Sequence, residues 1–327
     1  MHIYTSRRVS ASLFSISTKI EMHYALNIKN KVISYLLFPV ILPFSLSGDL
    51  IVSSFYYVRL PSKIAAYLRR TSHCYFIQGI ENFRTGFLSG ILNFLCNKSL
   101  YDKNLLASNK YLSNKVSDVI GRNVEYIGVG PANFFYDHPL ISGLKKYDIV
   151  YFARREEFKR LDLFLDLFSN DKFIEKHLKV VVVTQDMELS KNIASMELPL
   201  CKVIIPHDDK ELIEIIDSSK IMFFTSEYEG LGLPPLECML RKVPVVTYKT
   251  YPLTEYFSDR KFSILLIDNT LSAINTFEKL LAPGDIYLEY GELCRKFVNK
   301  EFSQDFSRDF INYIERRLVM EHKKHGY

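Results

Sequence analysis

Residues 220–248, KIMFFTSEYEGLGLPPLECMLRKVPVVTY, decide the fold. The runs 220–225 (KIMFFT) and 243–248 (VPVVTY) are almost wholly apolar, the pattern of parallel strands buried on both faces. Between them Gly230 and Gly232 open a short loop, Pro234 and Pro235 stand where a helix would begin, and the chain runs on with helical spacing. A glycine loop entering a helix offers backbone N–H groups and the positive end of the helix dipole to an anion, so a phosphate would sit well there. Two carboxylates frame the turn, Glu229 before the glycines and Glu237 in the first helical turn. A carboxylate beside a phosphate is electrostatically awkward. Both are better suited to accepting hydrogen bonds from hydroxyls, as the acidic residue of a dinucleotide site does with ribose.

Working outward, further short apolar runs suited to buried strands occur at 148–153, 178–184, 202–206 and 263–267. Helical periodicity separates several of them, at 161–168 (LDLFLDLF) and at 208–218 (DDKELIEIIDS), the latter capped by Asp208 or Asp209. Alternating strands and helices predict a doubly wound α/β domain with its ligand crevice at the carboxyl ends of the strands. The first half repeats the pattern, with strands expected at 49–54, 73–78, 105–108 and 124–129 and helices at 61–70 and 110–120. Gly128–Pro131 and the polar stretch 137–146 make the best boundary, near residue 140. The expected architecture is two Rossmann-like parallel-sheet domains, 1–140 and 141–305, facing across a cleft, with a helix at 306–327 free to cross back.

The chain of 327 residues is 48% hydrophobic and 24% charged, proportions that exclude disorder, collagen and coiled coil. The formal net charge of +5 is uneven: residues 1–146 hold 17 Lys and Arg against 7 Asp and Glu, a net of +10, and the remainder is −5. Five scattered cysteines without a C-x-x-C pair fit neither a disulfide framework nor a zinc site and point to a reducing, cytoplasmic compartment. The longest apolar stretch, 32–44, is too short to span a bilayer, contains Pro39 and Pro43, and reads as buried chain. His23, His73, His138 and His207 lack ligand spacing such as H-E-x-x-H and read as surface or satisfied core residues. Phe55–Tyr57 (FYY) lie just past a predicted strand end, where an aromatic could stack on a sugar ring.

The run EGLGLPPLE resembles the signature E-G-[FL]-G-L-P-x-x-E of the retaining glycosyltransferases of family 4, which have the GT-B fold. That resemblance implies that Glu229 contacts hydroxyls of a donor sugar, that Glu237 holds the ribose of the sugar nucleotide, and that Gly230, Leu231, Gly232 and Leu233 line the donor. A second motif agrees with it. After the strand at 148–153 comes ARREEFKR, similar to the family's G-R-x4-K-G, in which the Arg and Lys grip the donor diphosphate. Arg154 and Lys159 match, while Ala153 and Arg160 replace the glycines. In the first half, 75–83 (YFIQGIENF) places Gln78 where many members have a donor-contacting His, followed by Glu81 as an acceptor candidate. This pattern resembles members that build rhamnose-containing and other bacterial surface polysaccharides. The family's glycine-rich loop after the first strand is missing.

The resemblance implies transfer of a sugar from a nucleotide diphosphate donor to a glycan or lipid-linked glycan, with retention at the anomeric carbon. Catalytic roles fall to Glu229, Arg154 and Lys159. No metal or other cofactor is implied, because these cations and the loop amides would stabilise the departing diphosphate. The alternative is a sugar-nucleotide or glycan-binding subunit without catalysis. Nucleic-acid binding lacks any RNP-like, helix-turn-helix or zinc pattern. The basic first half would favour the anionic inner face of a membrane as a peripheral partner, with Lys63, Arg69 and Arg70 on one predicted helix as its candidates.

Overall fold

The computed structural model describes residues 2–5, 21–24, 31–79, 94, 98, 100–102, 104–141, 143–302 and 305–325. The chain divides into two compact units, Met1–Ile127 with Ser307–Tyr327, and Gly128–Phe306.

In the first unit, β1 (His2–Thr5) and β2 (Glu21–Tyr24) pair in parallel. Strands β3 (Leu50–Ser53), β4 (Ser72–Ile77), β5 (Leu105–Ala107) and β6 (Glu125–Tyr126) form a parallel sheet in that order, close to the runs expected from sequence. Helix α1 (Lys31–Ser45) packs on α2 (Tyr56–Arg69) through Phe38, Leu42, Leu46, Val58, Ala65 and Ala66. α2 begins at Tyr56 and carries Pro61 in its interior. Helix α3 (Lys110–Ile120) is capped by the Asn109 side chain, which accepts from the Leu112 N–H at 2.8 Å. Among its described side chains the stretch 32–44 is buried only in part, at Phe38, Leu42 and Pro43. It is part of α1, which runs through both prolines and leaves Leu37, Val40 and Phe44 exposed.

The second unit contains, in chain order, α4 (Asn133–Asp137), β7 (Tyr147–Phe152), α5 (Leu161–Phe168), α6 (Asp171–Ile174), β8 (Val180–Val183), α7 (Met187–Ala194), β9 (Cys201–Ile204), α8 (Asp209–Asp217), β10 (Ser219–Phe224), α9 (Leu233–Leu240), β11 (Val245–Tyr248), α10 (Leu253–Tyr256), β12 (Leu266–Ile267), α11 (Thr270–Leu281) and α12 (Ile286–Glu301). Among the described residues its six strands are parallel, in the order β12-β11-β10-β7-β8-β9. The centres of β7, β8, β10 and β11 are buried, and there the sequences are dominated by Val, Ile, Met and Phe, as strands covered on both faces require. The run expected as a strand at 263–267 is mostly a 3-10 segment, Arg260–Leu265, that leaves only β12 to pair.

Two interactions hold α9 in place. At its C-terminal end Arg241 forms a fully buried ion pair with Asp217 and donates to the carbonyls of Phe135, His138 and Pro139. Alongside, α12 crosses so closely that a Cβ at Gly291 would lie 2.2 Å from the Lys242 carbonyl oxygen, so only glycine fits. The last helix, α13 (Phe306–His325), belongs to the first unit, where Phe310 packs on Phe76 with ring centroids 5.8 Å apart.

Candidate functional site

The chain adds β8 and β9 on one side of β7 and then returns to place β10 on the other. β7 and β10 therefore flank the point where strand order reverses, and the crevice of a doubly wound sheet opens above their carboxyl ends. The loops leaving those two ends are 153–160 and 225–232, which carry the two motifs singled out from sequence.

The loop after β7 is short and folded. Ala153 is buried, and its N–H donates to the Val183 carbonyl at 2.8 Å, so the missing family glycine costs no backbone strain here. Residues Glu157–Lys159 form one 3-10 turn, and Arg160 then takes the left-handed region at φ 52°. That conformation explains why glycine suits the position in the family pattern; Arg160 adopts it with its guanidinium clamped on the Asp162 carboxylate at 2.7–3.1 Å. The adjacent arginines diverge. Arg155 is engaged by Asp186 and by Glu188, the latter at 2.8 Å, whereas Arg154 is exposed and makes no hydrogen bond or ion pair among the described residues.

The loop after β10 is tied to it at three points. The Thr225 hydroxyl donates to the Lys159 carbonyl at 2.7 Å, the Tyr151 hydroxyl lies 3.0 Å from that of Thr225, and the Glu227 N–H donates to the Phe158 carbonyl at 2.7 Å. These bonds bring Lys159 Nζ to 2.5 Å from Glu229 Oε1, an ion pair with both side chains mostly shielded from water. Lys159 Nζ also lies 5.1 Å from the centre of the Phe158 ring. Three residues that sequence reasoning missed support the turn from the far side. The Glu229 N–H donates to the Tyr251 carbonyl at 3.1 Å, Tyr251 stacks on Tyr228, and the buried Tyr256 hydroxyl donates to the Leu231 carbonyl at 2.9 Å. Thr250 holds the Ser226 carbonyl at 2.6 Å. All lie in 250–256, a stretch without periodicity whose only sequence signal is its place after a buried strand.

Gly232 takes φ 73° and ψ 56° as the N-cap of α9. A side chain there would meet only ordinary contacts, so the constraint is the left-handed backbone and not space. Pro234 and Pro235 have no N–H, which narrows the amides available at this helix start to those of Gly230, Leu231, Gly232 and Leu233. Glu237 is the fifth residue of α9, one turn further along than the sequence reading placed it, because the helix begins at Leu233. Burial pushes its carboxyl up to about 7, with Arg154 pulling the other way and Asp209 adding to the rise. Its side chain accepts no hydrogen bond among the described residues.

Arg154, Lys159, Glu229, Gly230, Leu231, Gly232, Leu233 and Glu237 thus fall in the second unit, around one strand-order reversal. Gln78 is in the first unit, exposed just beyond the carboxyl end of β4, and Glu81 lies outside the described residues. Lys63 and Arg69 are on α2, with Arg70 as its left-handed C-cap. Lys63 pairs with the buried Asp102 at 3.3 Å, and Arg69 donates to the carbonyls of Phe44 and Leu46. No group of three His, Cys, Asp or Glu among the described residues is arranged to hold a metal ion.

Residues 137–299 match the family model described as glycosyl transferases group 1. Three solved structures share the fold. Sucrose-phosphate synthase from Thermosynechococcus elongatus superposes with a TM-score of 0.76 at 11% identity, covering 98% of this chain and 89% of its own. WaaG, a glycosyltransferase involved in lipopolysaccharide biosynthesis, gives 0.68 at 11% identity, covering 96% and 90%. Anabaena Alr3699/HepE in complex with UDP and glucose gives 0.67 at 13%, covering 91% and 86%. Comparison with curated protein sequences found no match.

Proposed function

The chain has the GT-B fold and carries a glycosyl transferases group 1 domain over residues 137–299, and from that premise we propose that it transfers a sugar from a nucleotide diphosphate donor to a hydroxyl of a glycan. The observation that carries this reading is the meeting of Lys159 and Glu229 beside the Gly230–Leu233 amides, at the strand-order reversal. A cation and backbone donors suit a diphosphate, a carboxylate suits sugar hydroxyls, and the desolvated Glu237 carboxyl suits the two hydroxyls of a ribose.

In the proposed reaction the bond between the anomeric carbon and the diphosphate oxygen breaks, and the acceptor hydroxyl oxygen bonds to the same carbon. The acceptor proton passes to the departing phosphate. Negative charge grows on the diphosphate as the bond lengthens, and Arg154, Lys159 and the loop amides are placed to stabilise it; each preorganised contact of this kind contributes about 2–4 kcal/mol. Retention at the anomeric carbon, independence of a metal, membership of family 4 and an acceptor in bacterial surface polysaccharide are further parts of the proposal. They rest on the E-x7-E run and on likeness of fold to WaaG.

A panel of UDP-, GDP- and dTDP-sugars tests the reading. A donor that raises the melting temperature and is turned over, by transfer or slow hydrolysis, is the expected result. Arg154→Ala, Lys159→Ala and Glu229→Ala should each lose turnover with the fold retained. Full activity in all three variants would sink the proposal, and binding without any turnover would favour a sugar-nucleotide-binding subunit.

A further inference from the structure

The first unit holds a groove of about 790 Å³ beside β6, the last strand in the sheet order β3-β4-β5-β6. It is lined by α3, by the stretch 123–127 around β6, and by α13. It therefore runs along the edge of the sheet, whereas the crevice of an α/β domain opens across the carboxyl ends of its strands. The groove is built before any ligand arrives. The Ser113 hydroxyl donates to the Val124 carbonyl at 2.6 Å, and the Val124 N–H donates to the Ser117 hydroxyl at 3.0 Å, so α3 grips the edge strand from the side. On the α13 wall, Tyr313 is buried, with its hydroxyl 3.8 Å from the Cys74 sulfur.

We propose that this groove binds a neutral glycan segment, at a place separate from the transfer site. Asn114 and Asp118 lie one turn apart on one face of α3, Asn123 and Glu125 lie at β6, and Arg316 lies on α13; all are exposed. Amides, carboxylates and a guanidinium together present both donors and acceptors, and sugar hydroxyls are the ligand groups that serve both. Tyr126, 49% exposed, adds an aromatic ring on which the C–H face of a pyranose packs. Other occupants fit the groove less well. Arg316 is set against Asp118 and Glu125, a balance that gives a polyanion such as a nucleic acid no attraction. An added peptide strand would need the backbone groups of a two-residue strand, and the serines of α3 already hold those of its neighbour Val124. An apolar molecule would strip water from the amides and carboxylates without replacing its hydrogen bonds. The volume is within the range of sites that enclose small ligands. The class of ligand follows from the groove alone; that the glycan is a distal part of the acceptor rests on the transferase reading.

The chain contains no Trp, so Tyr126→Trp keeps an aromatic ring on the groove and gives a single reporter. On an array of neutral and anionic oligosaccharides, the parent chain and Tyr126→Trp should both retain a neutral glycan, and that oligosaccharide in solution should change the Trp emission. Tyr126→Ala and Asn114→Ala/Asn123→Ala should each weaken its binding by about tenfold, with the melting temperature as in the parent. Lys159→Ala, in the transfer site, should leave the binding unchanged. Retention of no neutral glycan, or retention indifferent to the groove substitutions, overturns the proposal. So does a loss in Lys159→Ala equal to that in Tyr126→Ala, which would put the glycan at the transfer site. Glycan held in the groove without turnover of any sugar nucleotide would count against the transferase reading alone; turnover without glycan in the groove would count against the groove alone.

Discussion

Lys159 and Glu229 stand 70 residues apart in the chain, yet their Nζ and Oε1 atoms are 2.5 Å apart in a site whose side chains are 17% and 13% exposed. The pair neutralises the centre of the site. In the proposed reaction an arriving diphosphate would compete with Glu229 for Lys159, and the full grip on phosphate would form only as the carboxylate let go. A donor sugar offering hydroxyls to Glu229 eases that exchange; a nucleoside diphosphate without a sugar does not.

The exchange predicts opposite effects from one substitution. Glu229→Gln leaves Lys159 unpaired and removes a negative charge beside the diphosphate, so affinity for UDP alone should rise by about fivefold, the equivalent of roughly 1 kcal/mol. Turnover of the sugar donor should fall on the order of a hundredfold. Titration calorimetry with UDP, together with a steady-state rate, checks both. Equal weakening of the two would show that the ion pair does not oppose phosphate.

Glu237 predicts a trade of stability against binding. Its carboxyl titrates near 7 in the folded chain because burial disfavours the charge, above its ordinary value of 4.5. A raised carboxyl favours the fold fully below 4.5 and loses that contribution as pH rises through 7, where the folded chain must carry a half-buried anion. Glu237→Gln removes the penalty and should raise the stability of the ligand-free chain at pH 8 by about 2 kcal/mol. Donor affinity should fall in the same variant, because an amide accepts ribose hydroxyls less well than a carboxylate. In the parent chain, UDP-glucose should bind more tightly as pH rises from 6 to 8, releasing a proton. Calorimetry in buffers of different ionisation enthalpy reads that proton directly.

How much of this was legible follows from what each feature depends on. The strands of the second unit could be read because burial on both faces forces continuous apolar runs, and the glycine loop because the left-handed Gly232 needs that residue. The family spacing picked Arg154 over Arg155, and in the structure Asp186 and Glu188 occupy Arg155 while Arg154 is exposed. The Lys159–Glu229 contact was out of reach because it depends on β7 and β10 becoming neighbours, which strand order decides and local pattern does not. Hydropathy misled at 32–44: it cannot separate a helix enclosed in a core from one with an apolar stripe facing out. Tyr251 and Tyr256 support the site from a stretch too short to show a period.

Gly291 tests whether α9 is held from behind. A methyl group there would meet the Lys242 backbone carbonyl at 2.2 Å, and backbone cannot swing aside as a flexible side chain would. Gly291→Ala should cost about 1–3 kcal/mol in urea unfolding and weaken donor binding through displacement of the helix that carries Glu237. Gly121→Ala, where a Cβ meets nothing within 4 Å, is the control: its cost should come from the left-handed φ of 69° alone, about 1 kcal/mol, without any change in donor binding.

In the first unit, His73 sets an acid limit on stability. Its Nε2 lies 2.8 Å from the Ser53 hydroxyl and its Nδ1 3.8 Å from Asp102, which Arg59 and Lys63 also engage. Burial lowers the imidazole to about 4 against the pull of Asp102, with Lys63 and Arg59 pushing the same way as burial. The folded chain therefore keeps the ring neutral while the unfolded chain protonates it near 6.5, so this contribution is complete above 6.5 and is lost as pH falls toward 4. The loss is on the order of 2–3 kcal/mol. Over 4.5–6.5 it opposes the gain from Glu237, so the parent melting curve alone shows only their difference. His73→Gln removes one side of that balance. Its melting temperature should be lower than the parent's at pH 7, through a poorer fit to Ser53, and should decline less between pH 6.5 and 4.5. A decline as steep as the parent's would assign the acid limit to another group.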